Sequence, residues 1–441
     1  MSPSPSVAGR ITKAAAALRE AEQPLRILGL LAWPLSVRER FLQGGGRELP
    51  RVDYPDIDTA AVDQALLRAR PLIAGTGPAR EWFERIADRL DLAGRMMKGV
   101  GSAAFFDASR ELYGSPGEAL PDSSDSPLQL ARRLRRIIDG LNHLDLGAPD
   151  DPSATDRQVA RRMRAAVTRF FGADAPPVEI VEELSANATA GPDRIRIRAG
   201  ARFTDRDVEQ LVHHEAGIHV ATALNGRAQA ALPILASSHP GTTRTQEGLA
   251  VFAEFITGGM DVDRLGRLAD RVLAIQMAVE GADFIEVYDH FLEQGRAAAA
   301  RQSIQPSDET LQRTAFEQTR RVFRGGVLAG GAPFTKDVVY LDGLLRVHDF
   351  LRSVVAAGRA DVLQLLFCGK ISLNDIPVLC ELAEMGLLRA PKFLPRWASD
   401  RRFLVSYLAY SGFLGRVRMG RVHERYAEVL ATAPVARFSQ P

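Results

Sequence analysis

The sequence predicts an α+β fold, mostly helical, with one small antiparallel sheet packed on a histidine-bearing helix. Three observations predict it. Apolar residues recur at helical spacing along most of the chain. Alternation of apolar and charged residues is confined to two short stretches within residues 178–198. Those stretches come immediately before FTDRDVEQLVHHEAGIHVATALNG (203–226), which carries helix start and stop signals at its ends.

The elements follow in order. ITKAAAALREAEQPL and LQLARRLRRIIDGLNHL interleave apolar and charged residues as amphipathic helices do. YGSPGEALPDSSDSP (113–127) is a loop by composition, and LGAPDDPSATD (146–156) is a second break. An N-terminal helical region is expected over 1–155. In PVEIVEEL, Val178 and Ile180 alternate with glutamates, and in RIRIR, Ile195 and Ile197 alternate with arginines. NATAGPD between them reads as the turn of an antiparallel pair. A central core is expected over 156–350. From about Val354 the chain returns to helix, broken at Pro377, Pro391 and Pro395, which gives a C-terminal helical region over 351–441.

Composition excludes several classes of function. The 441 residues are 46% hydrophobic and 25% charged, the mix of a globular protein with a sizeable core. Net charge is +2, from 56 basic and 54 acidic residues, so nothing pulls the chain generally toward nucleic acid or an anionic membrane. Cys368 and Cys380 are the only cysteines. A disulfide framework and a thiolate metal cluster are both excluded, and any metal must be held by His, Asp or Glu. The most apolar run, ILGLLAWPL, is broken by Pro34 and falls far short of the roughly 20 residues that span a bilayer. The start of the chain has no secretory pattern. A cytoplasmic protein with no nucleic-acid or membrane partner is expected.

Within 203–226, Thr204 is placed to cap the helix, Asp205 and Asp207 suit its first turn, and Asn225-Gly226 reads as its stop. The segment holds His214, Glu215 and His219, an HExxxH spacing one residue longer than the usual zinc-protease signature. Five residues carry an ideal helix about 140° past a full turn, against about 40° for four. On a regular helix the two imidazoles diverge and are simply packed or solvated. With one wider turn of i→i+5 bonding they share a face and make a metal site, and such turns occur often at functional sites. The metal reading therefore predicts a locally widened helix near Gly217.

A metal needs a third protein ligand. TTRTQEGLAVFAEF offers one on a following helix, with Thr245 as cap and Glu247 in the first turn. Glu247 and Glu254 lie among Leu249, Ala250, Phe252 and Ala253, so both need partners. The alternatives are that Glu247 only answers the helix dipole, or that Arg244 pairs with a glutamate.

HEAGIH (214–219) with TQEGLA (245–250), followed by RVFRGG (321–326) and FTKDVVYLDGL (334–344), resembles the family known by its QEGLA motif. Its eukaryotic members include the microtubule-associated tyrosine carboxypeptidase, and bacterial members are labelled flavohemoglobin expression-modulating proteins. The resemblance implies a zincin-like metallopeptidase core. It implies Zn2+ held by His214, His219 and Glu247, with Glu215 as the catalytic general base. The expected activity is removal of a C-terminal, tyrosine-like residue from a peptide or protein. A carboxypeptidase also needs a receptor for the terminal carboxylate, and Arg321, Arg324 and Lys336 in the two later blocks are candidates. Tyr340 is the candidate donor to a developing oxyanion. The tubulin-directed relatives carry extra N-terminal sequence, so a substrate other than tubulin is expected. The alternatives are an endopeptidase or amidase, and a regulator without activity.

Overall fold

Ile11, Ala14, Ala15 and Leu18 sit at helical spacing, and all four are fully buried in the helix Pro5–Glu22. That apolar face packs on the helices Ala60–Ile73 and Arg80–Lys98, and Ala103–Tyr113 completes the group. The computed structural model describes residues 5–414, except 55–56, 121–123, 142–143, 145–151, 183, 185–186 and 302–304. Most of the break expected at 146–156 lies outside the described residues.

Helix dominates the described residues, as the periodicity predicts. The largest apolar core joins Ile11 and Leu18 to Phe252 in the middle of the chain and to Leu379 and Leu404 near its end. A second core is aromatic: Trp33 stacks on Phe284, and Phe41, Phe316 and Phe323 lie edge-on or tilted to Phe284.

The small sheet differs from the expectation of an antiparallel pair. The strands Val178–Val181 and Ile195–Arg198 run parallel, with Val178 opposite Ile195 and Ile180 opposite Ile197. A third strand, Ala188–Ala190, pairs antiparallel to the other side of Ile195–Arg198. NATAGPD is therefore not the turn of that pair: its residues 191–193 turn the chain from Ala188–Ala190 into Ile195–Arg198, with the Gly191 N–H donating to the Arg194 carbonyl. It contributes an edge strand, and the connection it belongs to is long enough to carry the chain back to the same end of the sheet. Val178, Ile195 and Ile197 bury one face against Val208, Ala216, Val220 and Ala221 of the histidine helix, and against the helix Asp156–Phe171. The expected packing of sheet on histidine helix holds.

Candidate metal centre and the cavity beside it

The histidine helix starts as its sequence dictates. Thr204 and Asp207 form a reciprocal capping box: the Thr204 hydroxyl accepts from Asp207 N–H, and the Asp207 carboxylate accepts from Thr204 N–H. Regular α-helix runs over Asp205–Leu211 and is followed by π-helix over Val212–Val220. The Ala221 N–H donates to the carbonyl of Ala216, five residues back. The α-helix resumes over Ala221–Arg227. The Asn225-Gly226 pair does not stop it. Asn225 is buried and bonds the backbones of Phe367 and Phe393, so the pair anchors the helix to the C-terminal segment.

The wide turn puts the two imidazoles on one face, with ring centroids 4.9 Å apart and planes at 81°. Gly217 lies inside the turn but not at positive φ, and a Cβ there would meet only the Val212 carbonyl at an ordinary 3.5 Å. The widening comes from the hydrogen-bond pattern, not from a conformation reserved for glycine.

Opposite the histidines runs the helix Pro240–Ile256. It begins with Pro240 after the extended His239, so Thr245 is an interior residue and not the cap, and Glu247 lies beyond the first turn. The dipole explanation for Glu247 therefore falls away. Each letter of QEGLA has a contact. Gln246 accepts from the Thr222 hydroxyl of the histidine helix at 2.8 Å. Gly248 lies against Gly343 of the helix Val339–Ala356, where a Cβ would stand 2.2 Å from backbone atoms. Leu249 and Ala250 are fully buried in the main core. Arg244 pairs with Asp342, not with a glutamate.

Glu247 Oε2 lies 3.7 Å from His214 Nε2 and 3.6 Å from His219 Nε2. Tetrahedral zinc with bonds of about 2.0–2.1 Å would hold its ligand atoms roughly 3.3 Å apart, so the set needs only a slight contraction. Among the described residues these three form the one group able to hold a metal ion. Their surroundings fit that use. His214 Nδ1 donates to Glu254 Oε1 at 2.6 Å, and Arg264 grips Glu254 with two bonds of 2.8 Å. The carboxylate fixes the tautomer and leaves Nε2 facing the site. Lys336 Nζ donates to Glu247 Oε1 at 3.1 Å and leaves Oε2 for the site.

The charges agree with the geometry. Burial opposes a charged imidazole at His214, but hydrogen bonds with Glu247 and Glu254 outweigh it and push the group up to about 10. Burial also opposes the Glu247 carboxylate, yet Lys336 and the two histidines hold it well below its ordinary range. His219 moves the other way: burial, with Lys370 nearby, lowers it and disfavours a charged imidazole there.

Glu215 and His214 line a cavity of about 170 Å³ together with Arg264, Arg271, Arg321 and Tyr340. Gln210 and Leu211 complete its lining. Of the sequence candidates, Arg321 and Tyr340 reach this cavity. Arg321 Nε donates to Asp337 at 2.6 Å and its Nη2 to the Tyr340 hydroxyl at 3.3 Å. Lys336 is engaged by Glu247. Arg324 is buried over the ring of Phe334 and is not part of the lining.

Sequence reasoning missed Arg264, Arg271 and Lys370. Arg264 and Arg271 come from the helix Val262–Val279, where they share a face with the buried Leu268 and Ile275 at 264, 268, 271 and 275. Arginines in register with an apolar stripe were the available signal. Lys370 is buried within electrostatic reach of Glu247 and Glu215, and burial brings it down to about 8. Nothing in the pattern around it marks it.

Two imidazoles and a carboxylate on facing helices, with another carboxylate beside them, define a candidate divalent-metal centre of the kind hydrolases use. The chain belongs to the microtubule-associated tyrosine carboxypeptidase family, whose model matches residues 39–416. A carboxypeptidase-type activity comes with that membership. No match was found among curated proteins. No described helix is long and apolar enough to cross a membrane.

Proposed function

We propose that this chain is a zinc-dependent carboxypeptidase that removes a tyrosine-like residue from the C-terminus of a peptide or protein. The observation that carries the reading is the π-helical turn, which turns His214 and His219 toward Glu247. In this reading those three residues hold the zinc, with the two histidines on a helix backed by a small sheet in a zincin-like manner. A bound zinc ion would bring the pKa of water toward neutrality and polarise the scissile carbonyl. Glu215 takes the proton of the attacking water and delivers it to the leaving amine. Glu254, clamped by Arg264, holds the Nδ1 proton of His214 and so orients the ring. Tyr340 faces the same cavity and is positioned to donate to the oxygen that gains charge.

The family name directs the substrate search to microtubules, and the C-terminal tyrosine of tubulin is the first substrate to assay. The guanidiniums beside Glu215 favour a substrate with a free carboxylate over an internal peptide bond or an amide. A regulator without activity has no need of Glu215 beside an intact His-His-Glu set.

Metal analysis of the purified chain and of His219→Ala tests the centre. About one zinc per chain is expected, with loss in the variant. A wild-type protein that takes up no zinc on reconstitution would remove the centre. Glu215→Gln should retain the zinc while release of tyrosine from peptides ceases; full activity in that variant would refute the mechanism.

A further inference from the structure

We propose that Arg271, together with Arg321, is the receptor for the free α-carboxylate of the substrate, in the cavity shared with Glu215. The proposal rests on the peptidase reading and deepens it.

Most cations around the two sites are already committed. Arg264 spends two hydrogen bonds on Glu254. Lys336 is bonded to Glu247. Arg321 is bonded to Asp337 and Tyr340. Arg271 makes no such commitment. Its Nε is buried without a hydrogen-bond partner, and its closest carboxylate, Asp337, stands 3.8 Å away. Its guanidinium lies 4.7 Å over the Tyr340 ring, which holds the planar fork in place. One carboxylate, Asp337, therefore faces two guanidiniums. Burial, and then Arg321, bring Arg271 down to about 10, as expected of a cation short of a counter-ion.

Buried unsatisfied donors need partners, and a carboxylate meets a guanidinium with two parallel bonds. A cavity of about 170 Å³ has room for such a group with several times the roughly 30 Å³ that one water occupies. Leu211 is the one aliphatic side chain in its lining, so the cavity suits a charged group and not an aromatic ring. Glu215 and His214 line it as well. A carboxylate held there lies beside the base, where the bond next to the last residue must come. This arrangement restricts cleavage to the chain end.

An acidic side chain offers the same chemistry as a terminal carboxylate, and the test separates them. The full chain carrying Glu215→Gln is titrated with three peptides: one ending in tyrosine as the free acid, the same peptide as its C-terminal amide, and an amide ending in glutamate. The free acid should bind about 10- to 100-fold more tightly than the tyrosine amide, the weight of hydrogen bonds to a charged group. Adding Arg271→Ala should abolish that preference, and Arg271→Lys, with charge but no fork, should keep part of it. Circular dichroism and zinc content of both variants should match the parent; if Arg271→Ala does not fold, Arg271→Lys decides. An unchanged preference in a folded Arg271 variant overturns the proposal. So does loss of preference in Arg324→Ala but not in Arg271→Ala, or equal binding of the glutamate amide and the free acid. The peptidase reading fails separately, when the wild type holds no zinc or releases no residue while the binding preference remains.

Discussion

His239 shows how one residue couples burial to pH. It is buried just before Pro240, and its Nδ1 has no hydrogen-bond partner. Burial, with Arg89 nearby, lowers it from 6.5 to about 4. The unfolded chain therefore binds a proton that the folded chain refuses between those values. Stability associated with His239 is intact above pH 6.5 and is lost as pH falls toward 4, by about 3 kcal/mol over the full window. Replacing it with Asn removes the titration. Urea midpoints measured from pH 7 to 4 should fall less steeply in His239→Asn than in the wild type, whatever the difference at pH 7. At this scale the sequence was legible where a residue broke its local pattern, as His214, Glu215, Glu247 and Glu254 do on apolar helices. It was not legible where a residue kept the pattern. Lys370 is unmarked by the pattern around it until Glu247 and Glu215 are placed within its electrostatic reach.

The element that decides the site is the π-helix Val212–Val220. It was predictable because the spacing made an α-helix and a metal site incompatible, and only a wider turn resolves them. The same logic predicts the effect of length. Inserting one alanine after Ala216 should set the histidines six apart, about 120° short of two full turns of α-helix, and turn their imidazoles away from each other. Zinc binding should be lost, while far-UV circular dichroism changes little. Gly217→Ala should keep its zinc, since a Cβ has ordinary contacts there. Loss of zinc in Gly217→Ala, or its retention in the insertion, would refute this account. The sheet was less legible. Ala188–Ala190 has a single branched side chain, Thr189, between two alanines, so its sequence gives little strand signal, and its pairing is imposed by the neighbouring strand. The start of the glutamate helix was misread for a similar reason. Thr245 suits a cap, but Pro240 had already begun the helix and Thr245 serves another element, accepting from Leu373 N–H.

At the scale of the molecule, the candidate metal ligands stand on elements locked together by the core. The helix Pro240–Ile256 is buried on nearly all sides, with Leu249, Ala250, Val251, Phe252 and Ala253 at zero exposure. Thr222 ties the histidine helix to it, and Gly248 ties it to the helix of Tyr340. Gly248→Ala would force the two helices apart. A loss of about 1–3 kcal/mol or more is expected from overpacking, with weaker zinc retention against a chelator. A variant as stable as the wild type in urea would show that the helices part freely. The helices of this body were legible one by one in the periodicity. Their arrangement was not, because contacts between residues a hundred positions apart leave no trace in a local pattern.

The contact between Gly248 and Gly343 has a genetic consequence. Each glycine meets backbone of the opposite helix, and neither has a side chain to surrender. A defect caused by a methyl group at 248 therefore has no compensating truncation at 343. In a selection for restored activity, suppressors should be absent from position 343. They should fall instead where the ends of the two helices are held, such as the capping segment before Pro240 or the turn at Thr335. The two glycines should thus prove unforgiving, although neither is one of the candidate metal ligands.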